Sequence, residues 1–513
     1  MVLEVNASED NEVVSIIEES AERKVSNSVS SGSEAPRALK TSRCASVDGD
    51  VPVPWWYTPK RLLALYCFVW FLVYVDMGLL SSNGVTGTSS TDPNNTSQDA
   101  KIEGGMQMDF QLTYAQLGLL PAMFMAGLMV SCLVFNELCN YVNSFRLIGV
   151  GLGMWMLGAI FTGVSQNFGF LLFARIFMGA GEASVMTLTG PFIDDVAPPA
   201  SKARWFAWLS LFPSLGVAVG YLYGNLATVI NWRICFYIEA AVALPIVLFC
   251  LFATPVKLRG KEEQTATISE NKAAKMKWRA RFINSWKDLG TELKVLHKQP
   301  VFLANAWGFV PVQACLGVFT FWGPKAAKDI LRADENVVSY LLGGITVGTA
   351  VVGTIGGGWL LDRVGSSLRN AMTIQLFASI VALVFSLLAF LTSPSLPIFA
   401  PLLTIGLLGI FVTTAPLYAV SMWTVPVPMR PVGQAFQIII MHLFGDVPSP
   451  PIIGAIQGRL LNWRTSMAII VATLGISISC YLFGALYAPR AVDYREELVK
   501  EEITNEEASK EGV

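Results

Sequence analysis

The sequence predicts an all-α membrane protein of twelve transmembrane helices in two six-helix bundles, and three observations predict it. Of 513 residues, 53% are hydrophobic and only 14% charged, whereas soluble domains carry nearer a quarter of charged residues because their surfaces face water. Runs such as Leu62 to Leu80, Cys235 to Thr254 and Ala371 to Leu391 are long enough to cross a bilayer core. Peptide groups find no water there and must bond within a helix. Finally, Asn231-Trp232-Arg233, just before the sixth apolar run, returns as Asn462-Trp463-Arg464 just before the twelfth, 231 residues later.

Taken in order, residues 1–55 are polar and Ser-rich, with no apolar signal core, and read as a disordered cytoplasmic N-terminus. Trp55, Trp56 and Tyr57, followed by Lys60 and Arg61, form an interfacial anchor. Spans are expected at 61–81, 112–136, 146–165, 168–193, 203–226 and 233–254, making an N-terminal bundle over 56–254. A second set is expected at 301–323, 336–360, 370–391, 396–424, 430–455 and 465–487, making a C-terminal bundle over 301–490. The linker, 255–300, interleaves Lys275, Lys277, Arg279, Arg281 and Lys287 with Trp278, Phe282, Ile283, Trp286 and Leu289. That pattern suits a helix lying on an anionic leaflet, or a solvated linker with helical content. Residues 491–513, rich in Glu, read as an acidic tail.

Loop charge sets the orientation. With the N-terminus in the cytoplasm, inside loops carry Lys60, Arg61, Arg146, Lys202, Arg204, Arg363, Arg369, Arg430 and the basic linker. Outside loops carry Lys101, Arg233, Lys325, Lys328, Arg332, Arg459 and Arg464. Both termini are therefore expected in the cytoplasm. The sequons at Asn94 and Asn95 then fall on the side where glycans are added. The net charge of −2 points to no nucleic-acid partner, and eight scattered cysteines show no metal-ligand spacing. His297 and His442 are the only histidines, and no Ser/His/Asp or phosphate-cradling constellation stands out, so an enzyme is not expected.

The tripeptide repeat has a second echo. Glu137 and Arg146 bracket the loop after span two, and Asp362, Arg363 and Arg369 occupy the loop after span eight, with Arg146 and Arg369 223 residues apart. Two parallel six-helix repeats follow, an arrangement found among transporters. The string from Gly357 through Trp359, Asp362, Arg363 and Gly365 to Arg369 resembles the loop signature of the major facilitator superfamily. Other strings resemble its spinster family, particularly the plant branch: Tyr74-Val75-Asp76 with Ser82-Asn83-Gly84-Val85, Arg175 with Gly181-Glu182-Ala183-Ser184, Trp322-Gly323-Pro324-Lys325, and His442 through Pro450. The resemblance implies a secondary transporter of sphingolipids or lysophospholipids, monomeric and without cofactor, driven by a proton gradient. It also implies a late endosomal, lysosomal or vacuolar membrane, with the plasma membrane as the alternative, and makes Glu137, Arg146, Asp362, Arg363 and Arg369 gating residues. In span one, many members have Asp-Arg where this chain has Asp76-Met77. The missing cation puts phosphate recognition in doubt and leaves room for a less anionic lipid.

Ionisable groups inside a span are costly and mark function. Asp76 is expected about 8 Å, and Arg175 about 10 Å, below the outer surface at 1.5 Å per residue, so the two can pair. Glu182 lies on the same face as Arg175 but two turns deeper, beyond a direct bond. Asp76 and Glu182 are the candidate proton carriers, and Arg175 the candidate headgroup site. A static ion network fixing span one to span four is the competing reading. Glu239, in span six, is expected near the span end, reaching back to water, with no assigned role. His442 and Asp446, four apart on one helix face, suit a proton relay or a packed histidine equally. Pro448, Pro450 and Pro451 are expected to break span eleven. Phe319, Phe321, Trp322 and Tyr340 are candidates for an apolar substrate flank. Gly216, Gly220 and Gly224 allow close approach of another helix, and Asp194 and Asp195 lie near Lys202 and Arg204. A carrier of small organic anions or drugs would use the same charges around a compact solute. A non-transporting sensor would tolerate their neutralisation.

Overall fold

Continuous apolar sequence leaves the backbone one way to satisfy itself in lipid, and helices dominate the architecture. The computed structural model describes residues 58–87, 105–138, 142, 144–196, 202–252, 294–393, 395–426 and 429–494, and among them there is no strand. The expected N-terminus, sequons, interfacial helix around Lys275 to Leu289 and the acidic tail after 494 lie outside the described residues. So do the side chains of Glu137, Asp194, Asp195, Lys202 and Arg204.

The first six long helices are α1 (Pro59–Ser81), α2 (Tyr114–Leu138), α3 (Ser144–Val164), α4 (Phe168–Val196), α5 (Lys202–Gly224) and α6 (Trp232–Phe252). The second six are α7 (Pro300–Leu331), α8 (Glu335–Val364), α9 (Leu368–Thr392), α10 (Leu396–Val412 with Thr414–Trp423), α11 (Arg430–Met441 with Ser449–Leu460) and α12 (Trp463–Ala472 with Leu474–Tyr487). Eleven of these are long and apolar enough to cross a membrane. The remaining member, α5, has 23 residues and runs against α1, so all twelve expected places are filled.

Local chemistry sets the ends. Asp334 caps α8 by accepting from the Asn336 amide, and Ser367 caps α9 by accepting from that of Asn370. Between them Gly365 sits at φ +102°, in the region that favours glycine. The Asn370 side chain donates to the Val364 and Gly365 carbonyls at 3.2 and 2.9 Å, closing that tight loop. The repeated Asn-Trp-Arg is a cap as well. Asn231 accepts from the Arg233 amide at 3.0 Å, and Asn462 from the Arg464 amide at 3.0 Å. Each arginine then reaches back to the end of the helix three places earlier. Arg233 donates to the Ser165 carbonyl after α3, and Arg464 to those of Phe390 and Ser393 at the end of α9. The repeat is thus a structural tie used once in each half.

Within the first half α1 packs on α5, α2 and α3 on α4, and α3 on α6; within the second, α9 packs on α10 and α12, and α7 on α12. Gly216 and Gly220 make the α1–α5 contact possible. A Cβ on Gly216 would stand 2.6 Å from the Phe71 carbonyl oxygen, and one on Gly220 would stand 2.7 Å from the Gly78 Cα.

The halves meet at one end, that of the α1–α2, α5–α6, α7–α8 and α11–α12 connections. There the Asn83 amide donates to the Pro324 carbonyl at 3.2 Å, and the Tyr221 hydroxyl to that of Thr320 at 2.7 Å. The Asn225 amide donates to the Asn336 side chain at 2.8 Å. Tyr114 from the first half stacks edgewise on Trp322 and Trp463 of the second. We call this the sealed end. Lys325 belongs to it and corrects an expectation. The loop count placed Lys325 in an outside loop, yet α7 runs to Leu331 and buries it. Its Nζ donates to the Gly87 carbonyl at 2.9 Å and to Gln107 Oε1 at 2.6 Å, over the Tyr114 ring. Arg233 was likewise counted as a loop charge; it pairs with Asp109 and lies over the Trp232 ring.

Candidate functional site: a buried ion cluster in the first half

Helix α1 enters the cluster from one direction and α4 from the other, which brings Asp76 and Arg175 to one level, as their depths predicted. Arg175 Nη1 donates to Asp76 Oδ2 at 2.9 Å and to Oδ1 at 3.1 Å. The carboxylate therefore straddles one nitrogen instead of meeting the planar fork of two. Both side chains are buried, at 0% and 1% exposure. Phe236 of α6 presents its ring face to the guanidinium at 4.9 Å, an attraction that a desolvated site strengthens. Arg175 Nε and Nη2 have no hydrogen-bond partner among the described residues.

Glu182, seven residues on, is buried, and neither carboxyl oxygen has a hydrogen-bond partner among the described residues. It makes no bond to Arg175, as its distance along the helix required. Glu239 corrects an expectation: it does not reach back to water. At 3% exposure it sits on the buried face of α6 that also carries Trp232, Cys235, Phe236 and Ala243. Neither of its oxygens has a hydrogen-bond partner among the described residues, and it lies within electrostatic range of Asp76 and Arg175. The site therefore holds three carboxyl groups and one cation, sealed from water in this conformation.

The second half carries a smaller polar centre. The helical run of α11 widens over His442–Asp446 before Ser449–Leu460 resumes with prolines in its first turn. A widened turn of this kind is a common functional device. The backbone stays helical through Val447 and Pro448, so in place of the break expected near Pro448 there is a local widening that begins at His442. His442 Nδ1 lies 2.9 Å from Asp446 Oδ2, and Gln313 Nε2 of α7 donates to the same oxygen at 2.9 Å.

Of the four aromatic candidates, Phe319 lines a cavity bounded by α5, α7, α8, α9 and α10, with Tyr221, Leu316, Phe390, Phe399 and Leu403 among its walls. Phe321 and Trp322 do not line it. Both are buried, and Trp322 donates to the Pro450 carbonyl at 2.9 Å within the aromatic cluster at the sealed end. Tyr340 is 64% exposed and lies outside that wall as well. The charged cluster is not part of the wall either, so the structure does not join the expected polar and apolar parts into one lined pocket.

Among the loop residues, Arg146, Asp362, Arg363 and Arg369 are exposed. Asp362 accepts from Ser366 in its own loop, and Arg363 lies over its neighbour Trp359. Sequence reasoning passed over a buried amide network in the second half. Asn305 of α7 donates to the Leu417 carbonyl and Ser421 hydroxyl, Gln375 of α9 donates to Asn305, and Ser421 donates to Gln437 of α11. Single polar residues scattered over four apolar spans carry no local pattern that would reveal it.

Twelve helices in two halves, with a buried ion cluster at lipid depth, describe a multi-pass membrane transporter, and the comparisons place it. The model of the Major Facilitator Superfamily matches residues 62–450, which puts the chain in that superfamily. It is 33% identical over 466 residues to an Arabidopsis thaliana protein named "Probable sphingolipid transporter spinster homolog 2", covering 90% of this chain and 94% of the relative. A Danio rerio protein, "Protein spinster homolog 3", is 26% identical over 381 residues, 70% of this chain and 73% of that one. The chain belongs to the spinster family. Its fold is similar to that of a bacterial spinster homologue solved in an inward-facing, occupied conformation, with a TM-score of 0.64 at 16% identity, covering 83% of this chain and 96% of that one.

Proposed function

We propose that this chain moves a sphingolipid or lysophospholipid across a membrane by alternating access, coupled to protons. The observation that carries this reading is the sealed cluster of Asp76, Arg175 and Glu182 at lipid depth. It occurs in a chain similar along nine-tenths of its length to proteins named as probable sphingolipid transporters. Buried ionisable groups in spans are retained where charge must move. Glu182, without a partner for either oxygen, is suited to hold a proton in one conformation and to release it in another. Arg175 offers the cation that an anionic headgroup would seek once Asp76 lets go. His442 and Asp446 form a second site for a proton in the other half. Phe319 and its neighbours supply apolar wall.

In this reading the sealed end faces outward and the opposite end faces the cytoplasm, following the loop charges. Arg146, Asp362, Arg363 and Arg369, exposed here, engage with Glu137 when that end closes. The protein acts as a monomer in a late endosomal, lysosomal or vacuolar membrane, with both termini in the cytoplasm. It needs no cofactor, since the proton gradient supplies the drive.

The test is flux in vesicles reconstituted with the full chain, using labelled sphingosine, lysophosphatidylcholine and unrelated small organic anions, with and without a pH gradient. Gradient-stimulated lipid flux, with the stimulation abolished in Glu182→Gln, is the expected result. Lipid flux that keeps its full stimulation in Glu182→Gln removes Glu182 from the coupling. Flux of small anions alone overturns the lipid reading.

A further inference from the structure

Charge in the first-half cluster is shared unevenly, and α6 holds the group that can complete it. A guanidinium has five N–H donors. Here one nitrogen of Arg175 serves both oxygens of Asp76, while Nε and Nη2 serve none. Both oxygens of Glu239 also lack a partner. The two residues stand at the same level, because Arg175 is the eighth residue of α4 and Glu239 the eighth of α6, and both helices start from the sealed end. Phe236, one turn before Glu239 on the same buried face, already lies under the guanidinium at 4.9 Å. Among the described residues, Cys235 and Tyr223 are also in range of Glu239, and the Tyr223 hydroxyl donates to the Cys235 carbonyl at 2.7 Å. Neither is a cation.

We propose that Glu239 is a second seat for the Arg175 guanidinium, so that one cation serves two carboxyl groups in turn. An unpaired charge in a water-free site is costly, so a single cation balances a single carboxylate and the other acid carries a proton. In the conformation described, Arg175 holds Asp76 and Glu239 is the protonated partner. When the guanidinium turns to Glu239, one proton leaves a Glu239 oxygen and one is taken up on an Asp76 oxygen. The charge of the cluster is unchanged. Glu182 is in range of Asp76 but two turns from Arg175 along α4, and it takes no part in the exchange. Glu239 is thus a positioning residue: it gives the released guanidinium somewhere to go and ties protonation of Asp76 to α6. This inference rests on the proton-linked reading of the same cluster and deepens it.

The first test needs no transport. Thermal unfolding of the full chain in detergent is measured for Asp76→Asn, Glu239→Gln and the double variant. If Arg175 can use either seat, each single variant leaves it one partner and the double leaves it none. The double should then unfold roughly 4 °C or more below the temperature that the summed single shifts give. Adding Arg175→Met to the double should recover most of that excess. Additive shifts, or no recovery on removing the cation, overturn the proposal. In vesicles, with labelled sphingosine as the probe, Glu239→Gln should flatten the pH profile of flux while Glu239→Asp keeps it. An unchanged profile in Glu239→Gln also overturns the proposal. Should the native protein move no probe at all, the proposed function falls and the thermal cycle still decides the role of Glu239.

Discussion

A single guanidinium nitrogen carries the ion pair between α1 and α4, and the cost of losing it is unequal on its two sides. Removing one member of a buried pair leaves the other charge desolvated, at about 3–5 kcal/mol. Arg175→Met should incur that cost, since Asp76 has no other cation within its described contacts. Adding Asp76→Asn to it should return most of the stability, measured by thermal unfolding in detergent. If Arg175→Met alone unfolds where the native protein does, the pair contributes nothing to the fold, and its value as a transport device has to be judged by flux alone. Asp76 and Arg175 were legible from the sequence because depth along a span follows directly from helical rise. Glu239 and Lys325 were not. A charge within two turns of an apparent span end looks the same in sequence whether it reaches water or turns inward. What settles it is the neighbouring helix: α6 packs the Glu239 face against the bundle, and the segment around Gly87 and Gln107 closes over Lys325.

At the scale of elements, the α1–α5 contact depends on missing side chains, while other glycines are incidental. The Cβ of a residue placed at Gly220 would meet the Gly78 backbone at 2.7 Å, whereas Gly348 and Gly356 on α8 face nothing within 4 Å. Gly220→Val should therefore force α1 and α5 apart and destabilise by about 1–3 kcal/mol, as overpacking does. Gly348→Ala should be neutral or slightly stabilising, since alanine is the better helix former. Thermal unfolding compares the two directly, and equal effects would mean that the close approach of α1 and α5 is not what holds them. The spacing of Gly216, Gly220 and Gly224 announced a close helix in the sequence but not which one, because partner choice is a property of three-dimensional packing. The Asn-Trp-Arg repeat was legible as symmetry, and its chemistry became clear only when each arginine was seen to bond the carbonyls at the end of the helix three places before it. The widened turn at His442 had a proline signal downstream. The amide network linking Asn305, Gln375, Ser421 and Gln437 had none, and only tertiary contact assembles it.

For the whole molecule, the question is what holds the halves together at one end and lets them part. Apolar contact alone gives little net drive to hold them, since lipid tails compete with it on equal terms. Polar contacts break more discretely, and the sealed end has several: Asn83 to Pro324, Asn225 to Asn336, Tyr221 to Thr320 and Lys325 to Gly87 and Gln107. Lys325 is the strongest of them. Its ammonium is buried with the Gly87 and Gln107 acceptors, and hydrogen bonds to charged groups contribute about 1.5–3 kcal/mol each. The bonds are made across the boundary between halves, so they favour the state in which this end is closed and are lost when it opens. Lys325→Met keeps most of the apolar stem and removes the bonds, which should shift the equilibrium toward the conformation open at this end by about tenfold or more. Spin labels placed on Asn225→Cys and Asn336→Cys, which face each other across the boundary, would report the change as a larger long-distance population. A distance distribution that Lys325→Met leaves unaltered would show that the aromatic cluster of Tyr114, Trp322 and Trp463 closes this end without help from the lysine.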